Sequence, residues 1–328
     1  MAYSGEVLRR ARARLAQAKA DREAENEQHL RQAYAQVPRL AEIDRSLRQT
    51  MAQTARLVFQ RGEDAKEAFN KVRQENQALQ WERETLIAEN FEEGFLDETP
   101  VCSVCGGEGY VGSQMCECLM ELCRQEQKKE LTLLTGMGQE TFAGFRLDYY
   151  PDTFDPALGT SPRKIMALTL GVCKRYAQSF TLKSGSLLLN GAPGLGKTFL
   201  SACIARTVAD NGYSVIYESA VHLFNKLEDA KFGGSEELKQ DARRYGQCDL
   251  LIIDDLGTEM TTQFTVSALY TIINDRLLAG LPTVVSTNLL ADQLAARYNP
   301  QIASRLLGTY RQVTFTGEDI RVLKARGM

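Results

Sequence analysis

The sequence predicts an α/β protein with a mostly parallel sheet covered by helices, preceded by an α-helical region and a small cysteine-rich segment. Short apolar runs alternate with helical stretches from about residue 145 onward. Five cysteines cluster between Cys102 and Cys123, and the first hundred residues are rich in alanine, arginine, glutamine and glutamate, a composition that favours helix. A length of 328 residues allows two or three domains. We expect their boundaries at 1–99, 100–144 and 145–328.

The overall composition excludes several classes of protein. The chain is 44% hydrophobic and 25% charged, unlike disordered or collagen-like sequences. Its net charge of -3 predicts no overall basic surface, so any contact with nucleic acid must come from a local patch or from assembly. The sequence has neither a run of about 18 apolar residues nor an apolar signal core near its start. We therefore expect a cytoplasmic protein with no membrane partner.

The first region carries two apolar stripes at helical spacing. A break at residues 61–64 separates them, so residues 38–90 are predicted to form a helical hairpin or one long interrupted helix. Such a stripe fits either a self-packing bundle or a docking face for a partner helix, and both interpretations stay open. The stripe residues are Leu40, Ile43, Leu47, Met51, Ala55 and Val58, then Ala65, Phe69, Val72, Leu79 and Leu86.

The cysteine-rich segment has the spacing of a metal site. Cys102 and Cys105 form a C-x2-C pair, and after a glycine-rich turn Cys116 and Cys118 form a C-x-C pair. Four thiolates placed in this way can bind Zn²⁺ tetrahedrally and order a segment too short to fold alone. They leave no open coordination position, so the predicted role is structural. Cys123 is a spare or substitute ligand, and the alternative is a set of unconnected reduced thiols.

The third region alternates strands with helices. Its five predicted strands imply a parallel sheet with ligands at the carboxyl ends of the strands. Residues 145–184 are predicted to be a lead-in with the first helix. The predicted strands are 186–190 (SLLLN), 214–218 (SVIYE), 249–253 (DLLII), 283–287 (TVVST) and 312–316 (QVTFT).

A phosphate-binding loop directly follows the first of these strands and precedes a helical run. The eight residues fit G-x-x-x-x-G-K-[ST]. Glycines let backbone N–H groups surround phosphates, the lysine carries positive charge to the outer phosphates, and the threonine hydroxyl reaches Mg²⁺. The sequence therefore predicts binding of a chain of phosphates with Mg²⁺. The residues are Gly191, Ala192, Pro193, Gly194, Leu195, Gly196, Lys197 and Thr198.

Further polar side chains follow the next strands. Asp254 ends an apolar run and is the predicted Mg²⁺-side acid, and Asp255 is the base or orienter for the attacking water. Asn288 follows the next strand, where it either touches the outer phosphate or caps a turn. Arg305 and Arg321 lie in helical stretches nearer the C-terminus and by themselves look like ordinary surface arginines.

Together, these motifs resemble the AAA+ ATPases of the bacterial helicase-loader type, the DnaC and DnaI group, which are related to the IstB transposition helpers. The resemblance covers about residues 140–328. It is carried by GAPGLGKT, LLIIDDLGTE, STN, the ASRL arginine and GEDIR, and the lead-in TFAGFRLDYYP resembles the segment that lies near the adenine in this group.

The resemblance implies a role for each motif residue. Lys197 and Thr198 would bind the phosphates and Mg²⁺, with Asp254 as the second Mg²⁺ ligand. Asp255 stands where many AAA+ proteins carry glutamate, which leads to the hypothesis that hydrolysis is slow. The other implied roles are Asn288 as sensor of the outer phosphate, Arg305 as finger for a neighbouring subunit's nucleotide, and Arg321 as second sensor in its own subunit.

The leading functional prediction is an ATPase that loads the replicative DNA helicase onto single-stranded DNA. Self-association follows from a finger that acts in trans. The predicted DNA contact is residues 261–264, where Phe264 either stacks on a base or packs in the core. Two alternatives are an IstB-like transposition helper, against which residues 1–123 argue, and a nucleotide-switched adaptor with little hydrolysis.

Overall fold

The computed structural model describes residues 3–58, 63–134 and 141–326, with side chains outside 51–67 and 132–140. Arg61 and Gly62 of the predicted break lie outside the described residues, and Met51, Ala55, Val58 and Ala65 lie outside the described side chains. The chain forms two compact units. One contains Met1–Ala13 with Leu119–Met328, here called the ATPase unit, and the other is Arg14–Cys118, here called the N-terminal unit.

Twelve α-helices, two short 3₁₀ helices and seven strands are present in the described parts of the chain. The helices are α1 (Gly5–Gln36), α2 (Pro38–Val58), α3 (Glu63–Asn90), α4 (Glu117–Leu134), α5 (Pro162–Gln178), α6 (Lys197–Asp210), α7 (Ala220–Phe232), α8 (Glu236–Tyr245), α9 (Gln263–Leu278), α10 (Ala291–Arg297), α11 (Pro300–Thr309) and α12 (Ile320–Ala325). The strands are β1 (Tyr110–Val111), β2 (Gln114–Met115), β3 (Leu187–Asn190), β4 (Val215–Ser219), β5 (Leu250–Leu256), β6 (Thr283–Thr287) and β7 (Arg311–Thr314).

The ATPase unit is built on a five-stranded sheet in the order β4-β5-β6-β3-β7, with every neighbouring pair parallel. Its central strands are almost continuously apolar, because helices cover both faces of the sheet. Leu187 and Leu189 of β3 face one buried cluster, and Leu188 faces the other. The predicted α/β fold is confirmed, and the five predicted strands agree with the observed ones within a few residues at their ends.

The start of the chain packs inside the ATPase unit. Tyr3, Val7 and Ala11 are buried, and the Ser4 hydroxyl donates to the Glu130 carboxylate of α4 at 3.0 Å. Gln127 of α4 then fastens this layer to the edge strand of the sheet. Its side-chain amide donates to the carbonyl of Tyr213, and its amide oxygen accepts from the N–H of Val215. A side chain on α4 thus pairs with backbone at the start of β4.

The N-terminal unit contains the antiparallel pair α2 and α3. The Arg39 guanidinium bonds Glu82 at 2.8 Å, and Arg83 bonds Asp44 at 2.7 Å. The predicted break therefore separates two helices. Of the predicted apolar stripes, Leu40 is buried and Phe69 is only half-buried. No helix in residues 3–58, 63–134 or 141–326 is both long and apolar enough to cross a membrane.

Candidate functional site

The phosphate-binding loop connects β3 to α6. α6 begins at Lys197 with Gly196 as its N-cap, so the free N–H groups of the first turn face the loop, as an anion requires. The loop needs glycine at Gly194, where φ is +76° and a Cβ would lie 2.0 Å from the Asp319 carboxylate. The N–H of Ile320 donates to the Gly194 carbonyl at 3.0 Å. The start of α12 therefore packs directly on the loop.

Lys197 is buried at the floor of this loop. Its ammonium donates to the carbonyls of Gly191 and Ala192 at 2.7 and 2.8 Å, which uses two of its three donors. Burial lowers the pKa of Lys197, although the nearby carboxylates Asp255 and Asp254 raise it. The Lys197 ammonium is therefore already desolvated in the folded chain. Binding of an anion does not add the full free-energy cost of its desolvation.

A cavity of about 400 Å³ opens beside the loop. That volume lies within the range of small-molecule sites. One end is polar, and the structure brings the predicted residues Thr198, Asp255, Asn288 and Arg321 together with Lys197 there. The predicted site residues Pro193, Gly194 and Gly196 also line the cavity. This end suits a chain of phosphates and a cation.

Aromatic side chains of the lead-in segment also line the cavity. Phe145 stacks on Tyr150 at 5.8 Å, and the Arg146 guanidinium lies 4.7 Å from the centre of the Tyr149 ring. The buried Tyr150 hydroxyl donates to the carbonyl of Leu195 at 3.0 Å, which ties the lead-in to the phosphate-binding loop. Flat apolar surfaces next to cations suit a nucleotide base. The polar and aromatic residues of the lining therefore suit the phosphates and the base of a nucleoside triphosphate.

Asp254 lies behind the polar end and is fixed by both neighbouring strands. One carboxylate oxygen accepts from the Tyr217 hydroxyl of β4 at 2.8 Å, and the other accepts from the Ser286 hydroxyl of β6. A carboxylate has about four lone-pair sites, so these two bonds leave acceptors for a cation or its water. Mg²⁺ prefers such oxygen ligands. The carboxylate of Asp254 and the hydroxyl of Thr198 therefore fit the predicted cation.

Asp255 has an unusual backbone conformation. Its φ is +55°, the only positive φ of a residue other than glycine in the described chain, and the register between β5 and β6 shifts at this point. Its N–H donates to the Ser286 hydroxyl at 2.8 Å. This irregularity in β5 directs Asp255 into the cavity, whereas Asp254 is not part of the cavity lining. Burial and the adjacent Asp254 raise the pKa of Asp255, and Lys197 and Arg321 lower it.

Asn288 lies at the cavity surface after β6. The Thr287 hydroxyl accepts from the N–H of Leu289 at 3.1 Å, and the Gln293 amide oxygen accepts from that of Leu290 at 2.8 Å. Those two side chains bond the free N–H groups of the turn after β6, so Asn288 is not its cap. The exposed Asn288 amide lines the cavity instead.

The two arginines are in different places. Arg321, in the first turn of α12, lines the cavity. Arg305 lies on α11 outside the cavity lining, and it bonds to α9. The structure therefore brings Arg321 to the nucleotide cavity of its own chain and does not bring Arg305 there.

Sequence reasoning missed Glu259, a buried carboxylate in the turn after β5. It accepts from the N–H of Gly257 at 2.9 Å and from the Tyr298 hydroxyl. The Arg297 guanidinium donates to its backbone carbonyl. Glu259 thus joins the turn behind Asp255 to the end of α10. In the sequence Glu259 is the last residue of the motif LLIIDDLGTE, four residues after Asp255, and nothing in the local pattern marks it as buried.

The cysteine cluster lies in the N-terminal unit. The four predicted sulfurs, from Cys102, Cys105, Cys116 and Cys118, all lie within 4.8 Å of one another. The Sγ atoms of Cys102 and Cys116 are 3.8 Å apart, and those of Cys105 and Cys118 are 3.4 Å apart. These separations exclude disulfides. A tetrahedron with metal-sulfur bonds of 2.3 Å has edges of about 3.8 Å, so the four sulfurs fit a tetrahedral metal ion.

Backbone bonds hold the cysteine cluster in shape. The N–H of Gly109 donates to the Cys105 sulfur at 3.2 Å, and the N–H of Cys116 donates to the Gly109 carbonyl at 2.8 Å. Burial raises the pKa of the Cys105 thiol. Hydrogen bonds with the Gly109 N–H and the Cys118 thiol lower this pKa by more than burial raises it, so that it falls to about 6. Cys123 is buried and is not a member of this cluster among the described residues.

Comparison with known proteins agrees with the site. Residues 155–322, just over half of the chain, match the family model of the IstB-like ATP binding protein. The chain is 31% identical over 123 residues to a putative insertion sequence ATP-binding protein of Sinorhizobium fredii, covering 38% of this chain and 39% of that protein.

Two replicative helicase loaders are also similar. DnaI of Bacillus subtilis is 27% identical over 225 residues, 61% of this chain and 68% of DnaI. DnaC of Escherichia coli strain K12 is 23% identical over 153 residues, 46% of this chain and 62% of DnaC. The chain thus spans less than two thirds of the length of two of these three curated relatives. The family match, the parallel sheet and the phosphate-binding loop lead to one conclusion: the chain belongs to the IstB-like ATP-binding proteins.

Proposed function

We propose that the chain hydrolyses ATP to load the replicative DNA helicase onto single-stranded DNA at replication initiation. Membership of an ATP-binding family supports ATP as the nucleotide. The cavity offers groups for its base, for its phosphates and for Mg²⁺. In this proposal Lys197 and Thr198 hold the phosphates and Asp254 holds Mg²⁺. Asp255 orients the attacking water, Asn288 senses the outer phosphate, and Arg321 contacts the nucleotide of its own chain.

The observation that carries the loader proposal is the extent of the similarity to DnaI. That similarity covers 61% of the chain, more than the 155–322 segment of the family model and more than the 38% shared with the insertion sequence protein. A transposition helper is the second candidate, and it is favoured by the family model and by the higher identity of that shorter match. The extent of the DnaI match favours the loader.

We assign helicase docking to the region before the ATPase core, with proposed boundaries 1–99 for the helical region, 100–144 for the zinc segment and 145–328 for the ATPase domain. Trp81 on α3 and Val104 beside the cysteine cluster are exposed apolar side chains in the N-terminal unit. Aromatic anchors of this kind are enriched where proteins bind partners. Zn²⁺ bound by the four cysteines would keep this unit ordered.

The position of Arg305 supports self-association. An arginine finger placed outside its own nucleotide cavity can stabilise the transition state only in a neighbouring copy. A second copy placed head-to-tail would bring Arg305 to that cavity, and repetition of such a contact gives a ring or an open spiral. We therefore propose that hydrolysis requires assembly and that the short Asp255 side chain keeps it slow.

A small aromatic patch is the proposed contact with single-stranded DNA. Phe264, at the start of α9, is half-buried and lies 5.9 Å from Phe232, whose side chain is 69% exposed at the end of α7. The Lys231 ammonium lies 5.0 Å from the Phe264 ring. Aromatic faces for bases next to a cation for phosphates are typical of single-strand binding. The polar residues Thr261, Thr262 and Gln263 precede Phe264.

Native mass spectrometry with the replicative helicase of the same host tests this proposal. We expect the chain to form a complex with the helicase in the presence of ATP. We expect no complex between the chain and the transposase of an insertion sequence from that host. The full chain is required, because deleting residues 1–123 would remove Tyr3, Val7 and Ala11, which are buried in the ATPase unit.

The outcomes separate the candidate functions. A complex with the transposase and none with the helicase would replace the loader by the transposition helper. The adaptor alternative predicts a different pair of results. The chain would form a complex with the helicase, but ATP turnover by the chain alone would not change when single-stranded DNA is added.

A further inference from the structure

Arg305 is held in one place by its own chain. Its guanidinium donates to the Tyr270 hydroxyl at 2.9 Å and to the Asn274 side-chain oxygen at 3.1 Å, both on α9. It also donates to the Gln301 carbonyl at 3.3 Å, within α11. The guanidinium carbon lies 4.6 Å from the centre of the Tyr270 ring. The arginine is thus fixed through bonds and through stacking.

The arrangement follows from the spacing of α9. Tyr270 and Asn274 are four residues apart and share one face of the helix. Leu269 and Ile273, one position earlier in each case, are buried in the core, so the core sets the rotation of the helix. Tyr270, Asn274 and Arg305 themselves are all half-buried. Arg305 is therefore held by a helix that is anchored in the core, and its side chain stays partly exposed.

The groups that hold Arg305 leave its charge available. A hydroxyl, an amide oxygen, a carbonyl and an aromatic ring are all neutral, so none of them competes with a phosphate as a carboxylate would. The three bonds use three of the five N–H donors of a guanidinium. An arginine that is ordered beforehand also loses less conformational entropy when it binds an anion.

We propose that Tyr270 and Asn274 are positioning residues that pre-organise Arg305 for the triphosphate of a neighbouring copy. This inference rests on the trans arrangement of the proposed function. Neither residue lines the nucleotide cavity of its own chain. They act through Arg305, and only in the copy that donates it.

Mixing two inactive variants tests the inference. Arg305→Ala keeps the nucleotide cavity and loses the finger, whereas Lys197→Ala loses nucleotide binding and keeps the finger. Each alone should hydrolyse little ATP, and their mixture should recover hydrolysis, because Lys197→Ala copies donate Arg305 to intact cavities. Adding Tyr270→Leu to the Lys197→Ala chain should lower the recovered rate about two- to tenfold, the effect of leaving one long side chain unrestrained.

The same substitution in the other chain is the matched control. Tyr270→Leu in the Arg305→Ala chain, which has no finger to position, should leave the recovered rate unchanged. Tyr270→Phe in the donor chain keeps the ring and should retain more of the rate than Tyr270→Leu. Asn274→Ala in the donor chain should lower it in the same direction as Tyr270→Leu.

Four results are decisive. An equal fall whichever chain carries Tyr270→Leu would show a structural role and overturn the inference, as would no fall in the donor chain. If the mixture of Arg305→Ala and Lys197→Ala recovers no hydrolysis, the trans arrangement in the proposed function fails, before Tyr270 is tested. Recovery that falls only with the donor-chain substitution supports both.

Discussion

The Lys197→Ala variant is expected to lose ATP binding. The Lys197 ammonium is buried and bonded to two loop carbonyls, so its charge is held at the place where the outer phosphates are expected. Removing one partner of a buried charged contact costs about 2–5 kcal/mol, which corresponds to a fall in affinity of roughly 30-fold to several thousandfold. Calorimetric titration of the purified chain with ATP in the presence of Mg²⁺ measures it.

A second lysine provides the control. Lys183 is exposed in the loop before β3 and does not line the cavity, so Lys183→Ala should bind ATP like the unmodified chain. Equal affinity of the Lys197→Ala variant and the unmodified chain would contradict the phosphate-binding role of the loop.

Removal of zinc is expected to have the largest effect on the N-terminal unit. Elemental analysis should find about one zinc ion per chain. The double variant Cys105→Ser, Cys118→Ser should contain no zinc, because two of the four sulfurs of the tetrahedral site are lost. In zinc-finger peptides the metal contributes apparent binding energies of about 10–16 kcal/mol at pH 7. We therefore expect residues 102–118, which hold the four cysteines and the β1–β2 hairpin, to lose protection from hydrogen exchange in this variant.

A buried cysteine outside the cluster is the control for zinc loss. Cys123→Ala should keep its zinc, which also tests the alternative that Cys123 replaces a ligand. A folded, metal-free native chain would refute the zinc site, and zinc retained by the double variant would refute its ligand set.

Local patterns in the sequence predict the parts of the fold that depend on neighbours along the chain. β6 is observed at the predicted residues Thr283–Thr287, and the phosphate-binding loop connects a strand to a helix as its spacing requires. The C-x2-C and C-x-C pairs meet because a short turn and hairpin connect them. In each case the partners are separated by few residues, so spacing alone brings them together.

Contacts that depend on strand order are not accessible in this way. Tyr217 and Ser286 hold the two oxygens of Asp254 because β4 and β6 flank β5, and nothing in the spacing of these residues predicts that order. The bonds from Arg305 to Tyr270 require α9 and α11 to pack, which is also a tertiary event.

The burial of Tyr3 in the ATPase unit has the same origin. Its partner layer is α4, more than a hundred residues later in the chain. The composition of the first hundred residues favours helix throughout. It therefore gives no indication that the first turns of α1 belong to the ATPase unit and the remainder of α1 to the N-terminal unit. Residues 3–13 therefore looked like part of one helical region.

Helicase loading onto a DNA circle tests the central claim most directly. A closed ring cannot pass onto covalently closed circular single-stranded DNA without being opened, so displacement of an annealed oligonucleotide reports loading. The account predicts that the replicative helicase displaces the oligonucleotide when this chain and ATP are present, and that the Lys197→Ala chain supports little displacement. Displacement at the same rate without the chain, or at the same rate with the Lys197→Ala chain, would contradict it.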